Sequence, residues 1–303
     1  RRLSVVTVGC KANFADSAAI VAKASRAGYS VVPPGDPADV LVVNSCTVTR
    51  RADRDSRAVA RRLRRENPGA VIVLTGCYAE TSPTARESVP EVDHWVGIRD
   101  PSTLAELLSS LRGAAPPGQD DLDEYAADRL LGHSRTFLKI QDGCDAACSY
   151  CIVPKARGRS RSVPWDEVIT RFDTAVRSGA PEIVLSGIHI GHYGRDLTPS
   201  KSLTCLVQEL AGRPGGPRIR ISSIEPREVT RELIDMLGRG LCLHLHIPLQ
   251  SGDDGILRSM NMDYDSRFYR DLIGQIAAST TDVALGADVI VGFPGEGVKE
   301  FTN

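Results

Sequence analysis

Residues 136–151 read TFLKIQDGCDAACSYC, a short apolar run that leads directly into three cysteines within eight residues. The run 136–141 is the first of five strand candidates that alternate with helical patterns toward the end of the chain. The later candidates are 182–190, 218–225, 243–249 and 283–293, and the helical patterns are 164–178, 203–211, 230–238 and 266–279. Successive β/α units without turn-linked hairpins predict a parallel barrel or a partial barrel.

A second α/β pattern precedes this one. Apolar strand candidates at 3–9, 40–44 and 71–76, with shorter ones at 29–32 and 94–97, alternate with helical patterns at 16–27, 52–66 and 102–112. Continuous apolar strands separated by helices are typical of parallel sheets that are covered on both faces. The predicted class is therefore α/β, with an N-terminal doubly wound parallel sheet domain.

The segment 113–123, GAAPPGQDDLD, combines Gly, Pro and acidic residues without periodicity, which predicts a linker. We expect an N-terminal domain over 1–112, a linker over 113–133 and the barrel over 134–303. The last residues resemble the start of a helix, so we also expect that the barrel stops before its last strand and that a C-terminal part is missing.

The 303 residues are 42% hydrophobic and 25% charged, and the formal net charge is −1. These values are typical of globular proteins, and no run of about 18 apolar residues predicts a membrane span. The first residues lack the features of a signal peptide, so we expect a cytoplasmic protein with no membrane partner. Because disulfides are rare in that compartment, at least the clustered ones among the eight cysteines favour metal, cluster or catalytic roles.

The three clustered cysteines are Cys144, Cys148 and Cys151. Three thiolates can hold three irons of a 4Fe–4S cluster and leave the fourth iron open to a small molecule. Their position after the first barrel strand suits an active site, since barrel sites lie at the carboxyl ends of the strands. A zinc site or a simple electron-transfer cluster is the alternative, although structural zinc usually has four protein ligands.

Three further cysteines each follow a predicted parallel strand: Cys10, Cys46 and Cys77. The carboxyl ends of the strands in a doubly wound sheet open onto one edge, where ligands bind. The three thiols can therefore converge and hold a second cluster with an open iron. Free cysteine is also a common small core residue, which is the alternative for each of them taken singly.

The patterns GCKAN, ADVLVVNSCTVT and TGCYAE, followed by LKIQDGCDAACSYCIVPKARGRSRS, resemble the radical S-adenosylmethionine (SAM) methylthiotransferase family. The runs EIVLSGIHIGHYG, RIRISSIEP, LHLHIPLQSG and DVIVGFPGE extend this resemblance over nearly the whole chain. The residues of these motifs are most similar to those of the branch that converts N6-threonylcarbamoyladenosine next to the tRNA anticodon to its 2-methylthio derivative. Lys155 and the pair Met262-Asp263 depart from the residues usual in the family.

The resemblance implies an enzyme with two 4Fe–4S clusters, SAM as cofactor, tRNA as substrate and an electron donor such as a flavodoxin or ferredoxin. It implies that the cluster of Cys144, Cys148 and Cys151 cleaves SAM to a radical that removes the hydrogen at C2 of the adenine. The other cluster would hold the sulfur that a second SAM methylates. The sequence does not indicate which molecule donates that sulfur. A C-terminal RNA-binding (TRAM) domain, which family members carry, is expected to be missing from this chain.

The resemblance also implies contacts to SAM at the ends of the barrel strands. The residues concerned are Ser186, Gly187, Glu225, Gln250 and Ser251. Each of these could instead be an ordinary turn residue. Arg157, Arg159 and Arg161, just beyond the cysteine loop, are candidates for contact with RNA, because arginine binds phosphate through its planar fork.

Two other functions stay open at this point. One is a methylthiotransferase for isopentenyladenosine in tRNA; a more distant branch of the family modifies a ribosomal protein. The other, from a different class, is a non-catalytic iron–sulfur electron carrier. A carrier would not form 5′-deoxyadenosine from SAM and a reductant, so this product distinguishes the two classes.

Overall fold

The structure, a computed structural model, describes residues 1–113, 122–213, 216–280 and 282–303. Most of the predicted linker segment 113–123 lies outside these residues. The chain divides into two compact units, and each is described by itself. The first comprises Arg1–Lys139, Ile152–Gly158 and Thr170–Pro181, and the second comprises Ile140–Cys151, Arg159–Ile169 and Glu182–Asn303.

The first unit contains the predicted alternation of strands and helices. Its elements are β1 (Arg2–Thr7), α1 (Lys11–Arg26), β2 (Ser30–Val31), β3 (Val40–Ser45), α2 (Arg50–Glu66), β4 (Val71–Gly76), α3 (Cys77–Thr81), β5 (His94–Trp95), α4 (Pro101–Arg112), α5 (Glu124–Leu130), β6 (Thr136–Lys139) and α6 (Val153–Arg157), with a 3-10 helix at Pro83–Ser88. Five parallel strands form one sheet in the order β2-β1-β3-β4-β5. This order is one of the two common doubly wound arrangements, and its switch point lies between β1 and β3.

Alternate residues of the central strand β3 pack on opposite faces of the sheet. Val40 and Val42 lie in a cluster with residues of α1 and α4, whereas Leu41 and Val43 lie in a cluster with residues of α2. Successive side chains of a strand point to opposite faces, so a strand covered by helices on both sides must be apolar throughout. The prediction of a doubly wound sheet is confirmed.

The first unit extends beyond residue 112, where the sequence predicted its end. The short helix α5 lies within the predicted linker, and its Ala127 is fully buried in the cluster that α1 and α4 form. Asp123 caps this helix by accepting a hydrogen bond of 2.8 Å from the Ala126 amide. Because this helix has only seven residues, its sequence was too short to establish a helical periodicity.

The second unit contains the strands that follow the cysteine loop. Its elements are β7 (Gln141–Asp142), β8 (Arg161–Ser162), β9 (Glu182–Ser186), α8 (Leu203–Ala211), β10 (Arg218–Ile221), α9 (Arg231–Asp235), β11 (His244–His246), α10 (Asp254–Ser259), α11 (Ser266–Ser279), β12 (Ala284–Gly286) and α12 (Val298–Thr302), with 3-10 helices at Ile190–His192 and Pro226–Glu228. A further helix, α7 (Trp165–Arg177), contributes residues to both units.

The strands of the second unit form a parallel series. β9 pairs with β10 and β11 pairs with β12, while a bridge from Ser223 to His246 joins the two pairs. The predicted partial barrel is confirmed, although the strands are shorter than the sequence runs. The antiparallel pair of β7 and β8 was not predicted, since each strand has only two residues. Within the described ranges, no helix is both long enough and apolar enough to cross a membrane.

Candidate active site

The three N-terminal cysteines lie at the carboxyl ends of adjacent strands. Cys10 follows β1 at the N-cap position of α1, Cys46 follows β3, and Cys77 follows β4 as the first residue of α3. Two of them therefore flank the switch point of the sheet, where doubly wound folds bind ligands. The thiols are close enough to influence one another electrostatically, since a charge on Cys10 raises the pKa of both Cys46 and Cys77.

Two glycines let the backbone approach closely at this edge. Gly76, which precedes Cys77, has φ +97°, and a Cβ there would lie 2.5 Å from the Ser45 amide nitrogen and closer still to the Ser45 carbonyl oxygen. Gly9, which precedes Cys10, has φ +138°, and a Cβ there would lie 3.0 Å from the Cys46 Cβ. Such backbone conformations favour glycine. Gly9 and Gly76 thus let the loops of Cys10 and Cys77 lie close to the loop of Cys46.

A buried pair of amides holds the same loops from behind. Asn44 Nδ2 donates to the Asn13 carbonyl oxygen at 2.8 Å, and Asn13 Nδ2 donates to the Ser45 carbonyl oxygen at 3.1 Å. The Cys10 thiol lies 3.3 Å from Asn13 Oδ1. Buried polar groups that are fully paired define a single arrangement of their neighbours. These two asparagines were not among the predicted site residues, although both lie in the quoted family motifs.

Burial disfavours the thiolate form of two members of this triad, Cys46 and Cys77. Burial raises the pKa of Cys77 to about 11, and it also raises the pKa of Cys46. Metal ions deprotonate coordinating thiols, so an iron–sulfur cluster would supply the positive charge that these sites lack. Three convergent thiols at a ligand-binding edge fit such a cluster.

Arg157 departs from its predicted role in RNA binding. Its side chain is 1% exposed, and its guanidinium donates to Asp16 Oδ2 at 2.8 Å and hydrogen-bonds the Cys77 thiol. A guanidinium enclosed in this way does not reach a phosphate, so the sequence prediction was wrong for this residue. By contrast, the Arg159 side chain is 96% exposed and that of Arg161 is half-exposed.

The second cysteine loop is held by Gln141, a fully buried residue. Its Nε2 donates to the Gly143 carbonyl oxygen at 2.7 Å, and its Oε1 accepts from the backbone amides of Ile188 and His189 at 3.0 and 2.8 Å. A Cβ at Gly187 would lie 3.0 Å from the same Oε1. Gln141 therefore fixes the loop of Cys144 against the turn that follows β9, where a contact to SAM was predicted.

Two histidines and a glutamate meet beside this loop. His189 Nδ1 lies 3.3 Å from Cys144 Sγ, and its Nε2 lies 2.7 Å from Glu228 Oε1. Glu228 Oε1 is also 3.2 Å from His192 Nε2, and one ligand atom from each of the three lies within 4.8 Å of the others. Burial lowers the pKa of His189, but contacts with Cys144 and Glu228 outweigh it and raise the pKa to about 10. Of this group, sequence reasoning missed all three, because Glu228 lies in a separate loop.

Glu225 faces the thiols of the second triad. Burial raises the pKa of its carboxyl, and its charge in turn raises the pKa of Cys148. Burial, together with the charges of Cys151, Glu225 and Cys144, raises the pKa of the Cys148 thiol to about 11. Ser186 Oγ is buried and has no hydrogen-bond partner among the described residues. A bound polar ligand would satisfy such a hydroxyl, which fits the cofactor site predicted here.

Gln250 and Ser251 follow β11, and Gln250 forms a parallel bridge with Val289. Gln250 is buried and adopts φ +63°, a conformation that is uncommon outside glycine. Ser251 Oγ accepts a 3.2 Å hydrogen bond from the Asp253 amide, which is the behaviour of a turn residue. Strained backbone of the kind seen at Gln250 often lies at functional sites.

Comparison with known proteins identifies the family. Residues 2–97 match the model described as "Uncharacterized protein family UPF0004", and residues 138–303 match that of the radical SAM superfamily. The threonylcarbamoyladenosine tRNA methylthiotransferase MtaB of Bacillus subtilis is 40% identical over 306 residues, which cover 97% of this chain and 68% of that protein. The chain belongs to the radical SAM methylthiotransferase family. It is therefore an enzyme, and the family uses a 4Fe–4S cluster and SAM.

Other relatives of this methylthiotransferase include a tRNA-2-methylthio-N(6)-dimethylallyladenosine synthase of Fusobacterium nucleatum. It is 32% identical over 314 residues, which cover all of this chain and 72% of that protein. Among solved structures, the radical SAM methyltransferase TsrM of Kitasatospora setae, with tryptophan and a SAM analogue bound, has a TM-score of 0.68 at 14% identity. That alignment covers 99% of this chain and 69% of TsrM. At this identity the likeness shows the fold alone.

Proposed function

We propose that this enzyme converts N6-threonylcarbamoyladenosine next to the tRNA anticodon to its 2-methylthio derivative. Two separate cysteine triads carry the proposal: one lies at the carboxyl ends of three parallel strands, and the other lies in the single loop that follows β7. A reaction that both cleaves SAM and transfers sulfur needs two such sites. Relatives named for this substrate are 30–40% identical to the chain over nearly its full length. The substrate tRNA locates the reaction in the cytoplasm.

The residues would divide the work between the triads. Cys144, Cys148 and Cys151 would hold the SAM-binding cluster, and Cys10, Cys46 and Cys77 would hold a second one. When bound, a cluster with an open iron supplies the electron for SAM cleavage or a site for sulfur. Gln141 orients the loop of Cys144, and Glu225 offers a carboxylate to the ribose hydroxyls of SAM. A one-electron donor of the flavodoxin or ferredoxin type would supply the reducing equivalents.

The experiment compares Cys46→Ala with a matched control, Cys205→Ala, whose thiol is exposed and belongs to neither triad. Each protein is reconstituted anaerobically, reduced with dithionite and given SAM and substrate tRNA. Cys46→Ala should still release 5′-deoxyadenosine but form no methylthio nucleoside, because only sulfur transfer needs the N-terminal triad. Cys205→Ala should form both products, as the parent does.

Mass detection of both products from one digest decides the outcome. A methylthiolated adenosine formed by Cys46→Ala above background would overturn the assignment of the N-terminal triad as the sulfur site. The substrate is tested separately with tRNA that carries either threonylcarbamoyladenosine or isopentenyladenosine. Methylthiolation of the isopentenyl form alone would favour the other branch, whose relatives are 32–33% identical.

A further inference from the structure

Arg157 is buried beside the N-terminal triad. Its side chain is 1% exposed, although arginine is almost never fully buried unless it is paired. It ends α6, a five-residue helix that packs against α3, the helix that Cys77 begins. The RNA role expected from the sequence leaves this placement unexplained.

The guanidinium has two partners of different kinds. Its Nη2 donates to Asp16 Oδ2 at 2.8 Å, and it also hydrogen-bonds the Cys77 thiol. The other carboxylate oxygen of Asp16 accepts from Lys139 Nζ. Because the fork of an arginine is rigid, holding one side on Asp16 orients the other side toward the sulfur.

A purely structural ion pair would not account for this arrangement. Buried ion pairs give little net stability, and well-packed apolar residues often serve as well. Thiolates that bind iron are anionic, and hydrogen bonds to cluster sulfurs, together with the net charge nearby, set the reduction potential. A fixed cationic donor at a ligand sulfur therefore acts on the cluster.

We propose that Arg157, oriented by Asp16, is a positioning residue for the N-terminal triad: it donates a hydrogen bond to the Cys77 sulfur and stabilises negative charge on the group that the triad holds. This inference rests on the proposed function, because it takes that group to be the second cluster. The guanidinium stays protonated and serves only as a donor, so no proton is transferred.

The test uses the full chain in a background where Cys144, Cys148 and Cys151 are replaced by Ala. Only the N-terminal cluster then gives an electron paramagnetic resonance signal, and its midpoint potential is measured by redox titration. The informative variant is Asp16→Asn with Arg157→Gln, which removes both charges of this pair, while Lys139, the other cation on Asp16, keeps 22% of its side chain exposed to water. We expect a lower midpoint, by at least a tenfold change in the reduction equilibrium, or about 59 mV for one electron.

Two single variants complete the test. Arg157→Lys keeps the charge but cannot bridge Asp16 and Cys77 in the same way, so it should lower the midpoint by less. Arg26→Gln removes an exposed charge from α1, the helix that also carries Asp16, and should leave the midpoint unchanged.

An unshifted midpoint in the double variant, or in Arg157→Lys if the double variant does not fold, would overturn the role of Arg157. A background protein that binds no iron at all would instead overturn the second cluster, and with it that part of the proposed function. The two failures are therefore distinguishable.

Discussion

Gly76→Ala should destabilise the first unit and disrupt the N-terminal triad. Gly76 has φ +97° and ψ −169°, a region that essentially only glycine adopts, so alanine there costs about 1–3 kcal/mol in backbone strain. Its Cβ would also overlap the Ser45 backbone. The strands cannot easily separate, since Ser45 and Gly76 are paired in the β3–β4 ladder. An overpacked contact of this kind adds about 1–3 kcal/mol, which gives a total of about 2–6 kcal/mol.

The matched control is Gly35→Ala. Gly35 has φ +100°, but among the described residues no atom lies within 4 Å of a Cβ built there. It therefore carries strain without overlap, about 1–3 kcal/mol. The difference between the two variants isolates the overlap, and we expect Gly76→Ala to be less stable by a further about 1–3 kcal/mol.

The measurement is urea unfolding of the first unit. The chain has two tryptophans, so a Trp165→Phe background leaves Trp95, on β5 next to β4, as the only fluorescent tryptophan. Iron content is measured on the same proteins, and Gly76→Ala should lose the N-terminal cluster because Cys77 follows it directly. Unfolding free energies that differ by less than about 0.5 kcal/mol between the variants would refute the argument.

Three further predictions concern other buried polar groups. His133 packs between Phe14 and Phe137. Burial, with a smaller effect from Arg135, lowers the pKa of this histidine in the folded protein below its ordinary value of 6.5. The contribution of neutral His133 to stability is thus complete above the unfolded pKa of 6.5 and is lost as the pH falls through the folded pKa. His133→Phe should therefore weaken the loss of stability between about pH 7.5 and about pH 5, and urea curves with the parent's pH dependence would contradict this. Glu182→Gln should destabilise the second unit by about 1.5–3 kcal/mol, because it removes the charge that pairs with Arg220 at 2.8 Å. The control Glu209→Gln, at an exposed pair with Arg213, should cost less than about 1 kcal/mol. Unfolding followed by Trp165 fluorescence in a Trp95→Phe background compares the two variants, and equal costs would argue against the prediction. Gln141→Leu should lose the iron of the Cys144 loop and keep the N-terminal iron, while exposed Gln208→Leu should keep both; full iron in Gln141→Leu would show that the loop does not depend on this amide.

Periodicity and spacing predicted most of the architecture. The apolar run of β3 indicated a strand buried on both faces, and the clusters of Val42 and Leu41 on opposite sides of the sheet bear this out. The three-cysteine loop indicated its chemistry because its ligands are close in sequence. The helix α5 was not predicted, since seven residues are too few to establish a period and its burial depends on α1 and α4.

The sequence by itself determined the fold class and the family and singled out six candidate cysteines. It could do so because strand alternation, local cysteine spacing and the residues of the motifs all lie in short stretches of chain. Only the tertiary structure decided what surrounds those cysteines. Arg157 lies next to the cysteine loop in sequence and was expected to contact RNA, yet its partner Asp16 is 141 residues away. Glu228 and His189 meet at Cys144 in the same way, from separate loops. Hydrogen bonds and ion pairs depend on distances in space, and no local pattern reports which distant groups the packing of helices on sheets brings together.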